Sequence, residues 1–257
     1  MSARHIIIEG IDGTGKDTQL QMLHTNVQTY GKVPYFLRTP TGGNDPGLPQ
    51  NEQTQYGEML RKAWQEISEH GMDPSVAHLM TSPLFLTDMI SLDRKVWGSN
   101  SESRGELTPY DLEEHEHHAA WLRKENEEID RTFVIQSRSW ASTYAYQFNS
   151  PEVQQLALVA AEKLKAPDLW IWLDQPVEVT MNRIKRRAEG AGAGGKVQQS
   201  LYEKGDRLLK TQEAFENLFE HNWNDVEYGP VMRVWADRPA EEIHKEIMVH
   251  IRAHGIL

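Results

Sequence analysis

Five short runs of branched and aromatic apolar residues punctuate the chain: His5–Glu9, Val33–Leu37, Phe133–Gln136, Leu169–Leu173 and Val231–Trp235. Their length and composition predict strands, and the longer stretches between them carry apolar residues at helical spacing, as Leu20, Leu23 and Val27 do behind the first run. Strand and helix in alternation predict a doubly wound parallel sheet of five strands with helices on both faces, its ligands at the carboxyl ends of the strands. Asp73-Pro74 and Ser82-Pro83 each pair a capping residue with a proline suited to the first helical turn, and Thr108-Pro109-Tyr110-Asp111 resembles a capping box closed by Asp, so a helix is expected to start near each. The polar stretch Gly98–Gly105 reads as a surface loop, and the glycines of Gly190–Gly195 would let a flap open and close.

The junction between the first strand and its helix changes the picture. "IIIEGIDGTGKDTQLQML", Ile6 to Leu23, runs from an apolar strand through a glycine-rich turn into an amphipathic helix. The phosphate-loop pattern G-x-x-x-x-G-K-[ST] is met at Gly10, Gly15 and Lys16, while Asp17 stands where a hydroxyl belongs. A turn with Gly10, Gly13 and Gly15 bares consecutive amides, and the helix start adds its positive dipole end, which together cradle a nucleotide's phosphates. Gly10, Ile11, Asp12, Gly13, Thr14, Gly15, Lys16, Asp17 and Thr18 are therefore the candidate ATP-binding residues, with Lys16 reaching the β- and γ-phosphates.

Composition narrows the class without naming the activity. The 257 residues are 39% hydrophobic and 25% charged, enough for a packed core in a single domain spanning the chain. The absence of any cysteine excludes disulfides, thiol catalysis and cysteine-ligated zinc. No apolar run is long enough for a membrane span, so a cytosolic protein is expected. A net charge of −11 argues against non-specific adhesion to nucleic acid or anionic membrane. Against that background Arg183, Lys185, Arg186, Arg187 and Lys196 form a local basic stretch able to meet a polyanion, though a solvated helix end would read the same. "EEHEHH", Glu113 to His118, suggests a metal, but H-E-x-x-H needs a histidine where Ala119 stands, which leaves a solvated acidic helix.

The order of motifs along most of the chain resembles the thymidylate kinases. "IIIEGIDGTGKDTQ" is similar to their opening, "LRTPTGG" (Leu37 to Gly43) to their E-P-G-G-T loop, and "GEMLR" (Gly57 to Arg61) to the helix whose arginine holds the acceptor phosphate. "PLFLTDM" places Phe85 where the family stacks a phenylalanine on thymine, and "SRSWASTYAYQ" (Ser137 to Gln147) resembles D-R-Y-x-x-S-x-x-A-Y-Q. "PDLWIWLDQPVEVTMNRIKRR" (Pro167 to Arg187) is similar to the strand and helix leading into their lid, and Tyr202 follows it. The resemblance implies a P-loop kinase fold with a lid over about 183–199 and an insertion over about 98–131, ATP and Mg2+ as cofactors, and a homodimer. It further implies that Asp12 meets the acceptor sugar, that Arg61 and Arg138 grip the acceptor, that Tyr146 lies against the deoxyribose, and that Arg183 and Arg187 embrace the phosphates. Lys16, Asp17, Arg138, Arg183 and Arg187 are then the catalytic candidates, and Asp12, Arg61, Phe85, Met89, Arg138 and Tyr146 the substrate-binding ones.

Three departures bear on the acceptor. The family's D-R pair is Ser137-Arg138 here, Asp17 has appeared in the loop, and Met89 replaces a base-reading arginine. The first two suggest exchanged metal partners, with Asp17 holding magnesium and Ser137 supplying a hydroxyl, since Mg2+ accepts both kinds of oxygen. On this hypothesis the double exchange Asp17→Ser with Ser137→Asp restores what either change alone damages. The loss at Met89 removes a charge-assisted contact and suggests a changed acceptor. The expected activity is γ-phosphoryl transfer from ATP to a thymidine-like pyrimidine deoxynucleotide. The favoured acceptor is the hydroxymethyl group of 5-hydroxymethyluracil in DNA, as in a phage subfamily similar to thymidylate kinases, whose target base must leave its stack. Free dTMP is the alternative, and a catalytically weak nucleotide-binding module the third reading.

Overall fold

A computed structural model describes residues 3–38, 56–60, 62–63, 74–97, 131–190 and 205–257. Five strands, β1 (Arg4–Glu9), β2 (Val33–Arg38), β3 (Thr132–Ser137), β4 (Leu169–Asp174) and β5 (Val231–Trp235), form one parallel sheet in the order β2-β3-β1-β4-β5. All five runs read as strands from the sequence are strands, and the doubly wound architecture is the P-loop kinase fold. The order reverses at β1, because β2 and β3 lie to one side of it and β4 and β5 to the other. That puts the crevice for a ligand at the carboxyl end of β1.

The period of two along each strand divides the core between the two faces of the sheet. Ile6, Ile8, Leu169, Ile171 and Leu173 pack with Leu20, Leu23 and Val27 of α1 (Lys16–Thr29) and with Ile243, Ile247 and Ile251 of the last helix. Ile7, Trp170 and Trp172 face the other way. That side is covered by α2 (Pro74–Trp97), α3 (Trp140–Tyr146) and α4 (Pro151–Ala161), then by α5 (Val177–Gly190) and α6 (Gly205–Glu216). A π-helical turn (Asn217–His221) and the short α7 (Asp225–Tyr228) lead into β5, and α8 (Ala240–Ala253) closes the chain. A purely parallel sheet needs this cover on both faces, which is why its strands read as near-continuous apolar runs.

One helical boundary differs from expectation. Ser82-Pro83 does not open a helix; Pro83 lies inside α2, which runs unbroken from Pro74 to Trp97. The cost of a missing N–H is outweighed because Leu86, Met89 and Leu92 bury one continuous apolar stripe at 2–3% exposure, and Pro83 itself is turned to solvent. The expected helix starting at Thr108, Glu113 to His118, the segments 98–130 and 191–199 of the expected insertion and lid, and Tyr202 lie outside the described residues. Among the described residues no helix is long and apolar enough to cross a membrane.

Trp170, 1% exposed, is the hub of an aromatic cluster with Trp140, Phe219 and Trp223, and its Nε1 donates to the Tyr228 carbonyl at 2.6 Å. Truncating it leaves a cavity and an unpaired carbonyl, so Trp170→Ala is expected to lower unfolding free energy by about 3–5 kcal/mol, read from denaturant midpoints.

Candidate active site

Glu9 ends β1 and the chain then turns sharply. Gly10 has φ +144°, and a Cβ there would stand 2.5 Å from the Leu173 carbonyl oxygen, so only glycine lets the loop pass this close to β4. The loop closes through Thr14 Oγ1, which donates to the Ile11 carbonyl at 2.9 Å, and Gly15 caps α1 in the left-handed region with no side-chain hydrogen bond to the helix amides. The first amides of a 14-residue helix are thus left to a ligand.

A cavity of about 580 Å3 opens above this turn, within the range of nucleotide-sized sites. Its wall includes the loop from Asp12 to Thr18 and the cations Arg38, Arg138, Arg183, Arg187 and Arg238. Lys16 is 6% exposed and its Nζ donates to the carbonyls of Gly10 at 2.7 Å and Ile11 at 2.9 Å, with Asp12 Oδ1 at 3.9 Å. Burial, then the Arg138 charge, pull its ammonium down to about 8, against the opposing pull of Asp12, Glu9 and Asp17. Burial pushes the Asp12 carboxyl up, but Arg138 and Lys16 outweigh it and hold it below the usual carboxylate range.

Arg138 and Tyr146 meet Asp12 from the other side. The Arg138 guanidinium bonds the Asp12 carboxylate and lies 5.4 Å over the Tyr146 ring, while the Tyr146 hydroxyl accepts from the Asp12 amide at 2.9 Å. Burial raises the Tyr146 phenol well above its ordinary value, and Arg138, despite burial, is kept charged by Asp12. Arg183 reaches from α5 to the carbonyls of Thr14 at 3.4 Å and Ala236 at 2.9 Å. Arg187 is exposed on the same wall.

The remaining candidates separate. Asp17 lies on the cavity wall, its carboxylate 3.7 Å from Arg38. Ser137 is 1% exposed at the end of β3, one residue before Arg138, and is not among the residues lining the cavity. Phe85 is partly buried against the cluster that holds Met89, Trp140 and Tyr146. Met89 is 2% exposed and lines a separate interior cavity of about 30 Å3 with Trp140, which makes it a core side chain in this conformation. Arg61 lies outside the described residues, as do residues 39–43 of the loop after β2.

Sequence reasoning passed over Arg38, Arg238, Gln175 and Glu9. Arg38 ends β2 and Arg238 follows β5, both at the carboxyl edge where a parallel sheet holds its ligands, so position in the fold was the available signal. Gln175 follows β4 and donates to the Gly13 carbonyl at 3.3 Å. Glu9 is fully buried and accepts from Ser139 Oγ at 2.6 Å and Ser142 Oγ at 2.7 Å. Its burial raises the carboxyl above its ordinary value against those two bonds.

A glycine-rich anion loop at the switch point of a five-stranded parallel sheet, walled by arginines, defines a P-loop phosphotransferase. A family model described as thymidylate kinase matches residues 109–247, more than half of the chain. A thymidylate kinase of Prochlorococcus marinus is 29% identical over 198 residues, 73% of this chain and 72% of that one. Another, of Trichodesmium erythraeum, is 24% identical over 256 residues, 98% and 96% of the two chains. The solved thymidylate kinase of Candida albicans shares the fold with a TM-score of 0.60 at 16% identity, covering 99% of this chain and 93% of its own. The chain belongs to the thymidylate kinase family and is a phosphotransferase that uses ATP. Members of that family use ATP together with Mg2+.

Burial and Arg138 bring the Lys16 ammonium down to about 8 in spite of the Asp12 carboxylate at 3.9 Å. A bound triphosphate favours the charged form, so the bound pKa lies above the free one and binding takes up protons around pH 8 to 9. Calorimetry of ATP binding in two buffers of different ionisation heat is expected to show this uptake, and Lys16→Met to abolish it.

Proposed function

We propose that the protein transfers the γ-phosphoryl group of ATP to the 5′-phosphate of thymidylate or a closely similar pyrimidine deoxynucleotide, giving the diphosphate and ADP. The observation that carries this reading is the balance of charge in the cavity: Lys16 and five arginines line its wall, and Asp12, the carboxylate beside Arg138, is already engaged. Asp12 is ion-paired with Arg138 and held below the usual range, and Asp17 faces Arg38. A phosphomonoester is an anionic nucleophile that needs cations and alignment, whereas an alcohol gains from a free base near its proton. The site is rich in the first, and Asp12, the carboxylate beside Arg138 on the acceptor side, is ion-paired.

In this reading the loop amides hold the β-phosphate, and Lys16 leaves the Gly10 and Ile11 carbonyls to follow the transferring group. Arg183 and Arg187 close on the phosphates from α5. The acceptor's phosphate oxygen forms its bond to the γ-phosphorus as the bond to the β-bridging oxygen breaks, and Arg138 neutralises the acceptor side. Asp12 and Tyr146 take the deoxyribose, and Phe85 the base. Magnesium fits one donor of this chain, the half-exposed Asp17 carboxylate on the cavity wall, in keeping with an ion that uses one or two carboxylates plus phosphate oxygens and water. Bound there it would neutralise charge between the β- and γ-phosphates. Buried Ser137 is not required for that arrangement.

The hydroxymethyl group in DNA, favoured by the sequence, gives way to free thymidylate. The named relatives are thymidylate kinases, and Met89, one of its supports, is a core residue. With γ-labelled ATP, label is expected on dTMP, less on hydroxymethyl-dUMP, and none on DNA containing hydroxymethyluracil; label on that DNA alone would reverse the assignment. Arg138→Ala removes a charge-assisted contact and should lower kcat/KM for dTMP by roughly 10- to 100-fold.

A further inference from the structure

Two buried polar side chains interrupt the apolar interior of neighbouring strands, and neither touches the cavity. His5 of β1 is 2% exposed and Gln136 of β3 is 9% exposed. Gln136 Nε2 lies 2.9 Å from the Arg138 carbonyl oxygen, and its Oε1 lies 2.9 Å from His5 Nε2. A carbonyl only accepts, so the amide nitrogen must face Arg138, the amide oxygen must face His5, and His5 must carry its proton on Nε2. The hydrogen bonds therefore run in one direction, from His5 to Gln136 to the Arg138 backbone.

What they hold is unusual. Arg138 is the one non-glycine among the described residues with a positive φ, +65°, a conformation that sets Cβ against the backbone. A second clamp holds the residue after it: Ser139 Oγ donates to the buried Glu9 carboxylate, which also takes Ser142 Oγ from the first turn of α3. The Arg138 amide itself donates to the Ile8 carbonyl at 3.4 Å. The turn is thus gripped at its amide, its carbonyl and its following side chain, from β1 and β3 together.

We propose that Gln136, oriented by His5, and Glu9, through Ser139, are positioning residues that hold Arg138 in its left-handed turn and so aim its guanidinium at the acceptor side of the cavity. Released from either clamp, the turn relaxes toward an ordinary backbone conformation, and the guanidinium leaves its place beside Asp12 and over Tyr146. The cost falls chiefly on the acceptor, because neither clamp makes a hydrogen bond to residues Gly10 to Thr18 and the loop keeps its own bonds through Thr14 and Lys16. This rests on the reading that Arg138 serves the acceptor.

A double-mutant cycle tests it. Gln136→Leu keeps the side chain's bulk and removes both bonds; it is expected to raise KM for dTMP about tenfold with ATP affinity within twofold of the parent. In an Arg138→Ala background the same change should do nothing further to KM. A rise of equal size in that background, or a parallel loss of ATP affinity, overturns the proposal in favour of a general packing role. Arg138→Ala leaving the dTMP KM untouched overturns the acceptor reading itself, and does so before Gln136 is changed. If Gln136→Leu fails to fold, Ser139→Ala carries the same cycle from the Glu9 side, with the same expected and overturning results.

Discussion

Asp12 stands between two cations, Lys16 at 3.9 Å and Arg138 in direct contact, and the character of the site follows from how that one carboxylate divides its charge. Lys16 also donates to carbonyl oxygens of its own loop, and burial, then the Arg138 charge, loosens its hold on its proton. Such an arrangement favours a polyanion that can satisfy both cations at once. The loop's free helix amides add to the same demand.

The contrast with the rest of the chain is physical rather than incidental. In a protein of net charge −11, Lys16 and five arginines line one crevice at the carboxyl edge of the sheet. A small phosphate ester that fits a cavity of about 580 Å3 meets Lys16, Arg138 and the arginines of α5 together. Family membership and this cationic lining both suit a nucleotide.

Asp17 lies in the first turn of α1 with its carboxylate on the cavity wall, where a hydroxyl is usual, and Ser137 has withdrawn into the sheet. The anticipated pairing of the two around magnesium is not decided by these positions: the carboxylate is half-exposed and faces Arg38, and the serine is buried. Arg38 shares the carboxylate, which places β2 within the electrostatics of a loop built by β1 and α1.

Read as letters, the chain already specified five strands, their parallel arrangement and the phosphate loop, because period, strand length and glycine spacing are local properties that leave a local trace. Lys16, Asp12 and Asp17 could be named for the same reason. The course of α2 through Pro83 could not, since an apolar stripe packed against the sheet overrode a capping signal that is sound on its own. Nor could the burial of Met89 and Ser137, or the contacts of Arg38, Gln136 and Glu9. Those depend on which strand lies beside which: β3 is next to β1 only after a crossover, and contacts between residues more than a hundred positions apart have no signature in sequence spacing. Local chemistry is written along the chain, whereas partnership between distant side chains exists only once the sheet has assembled.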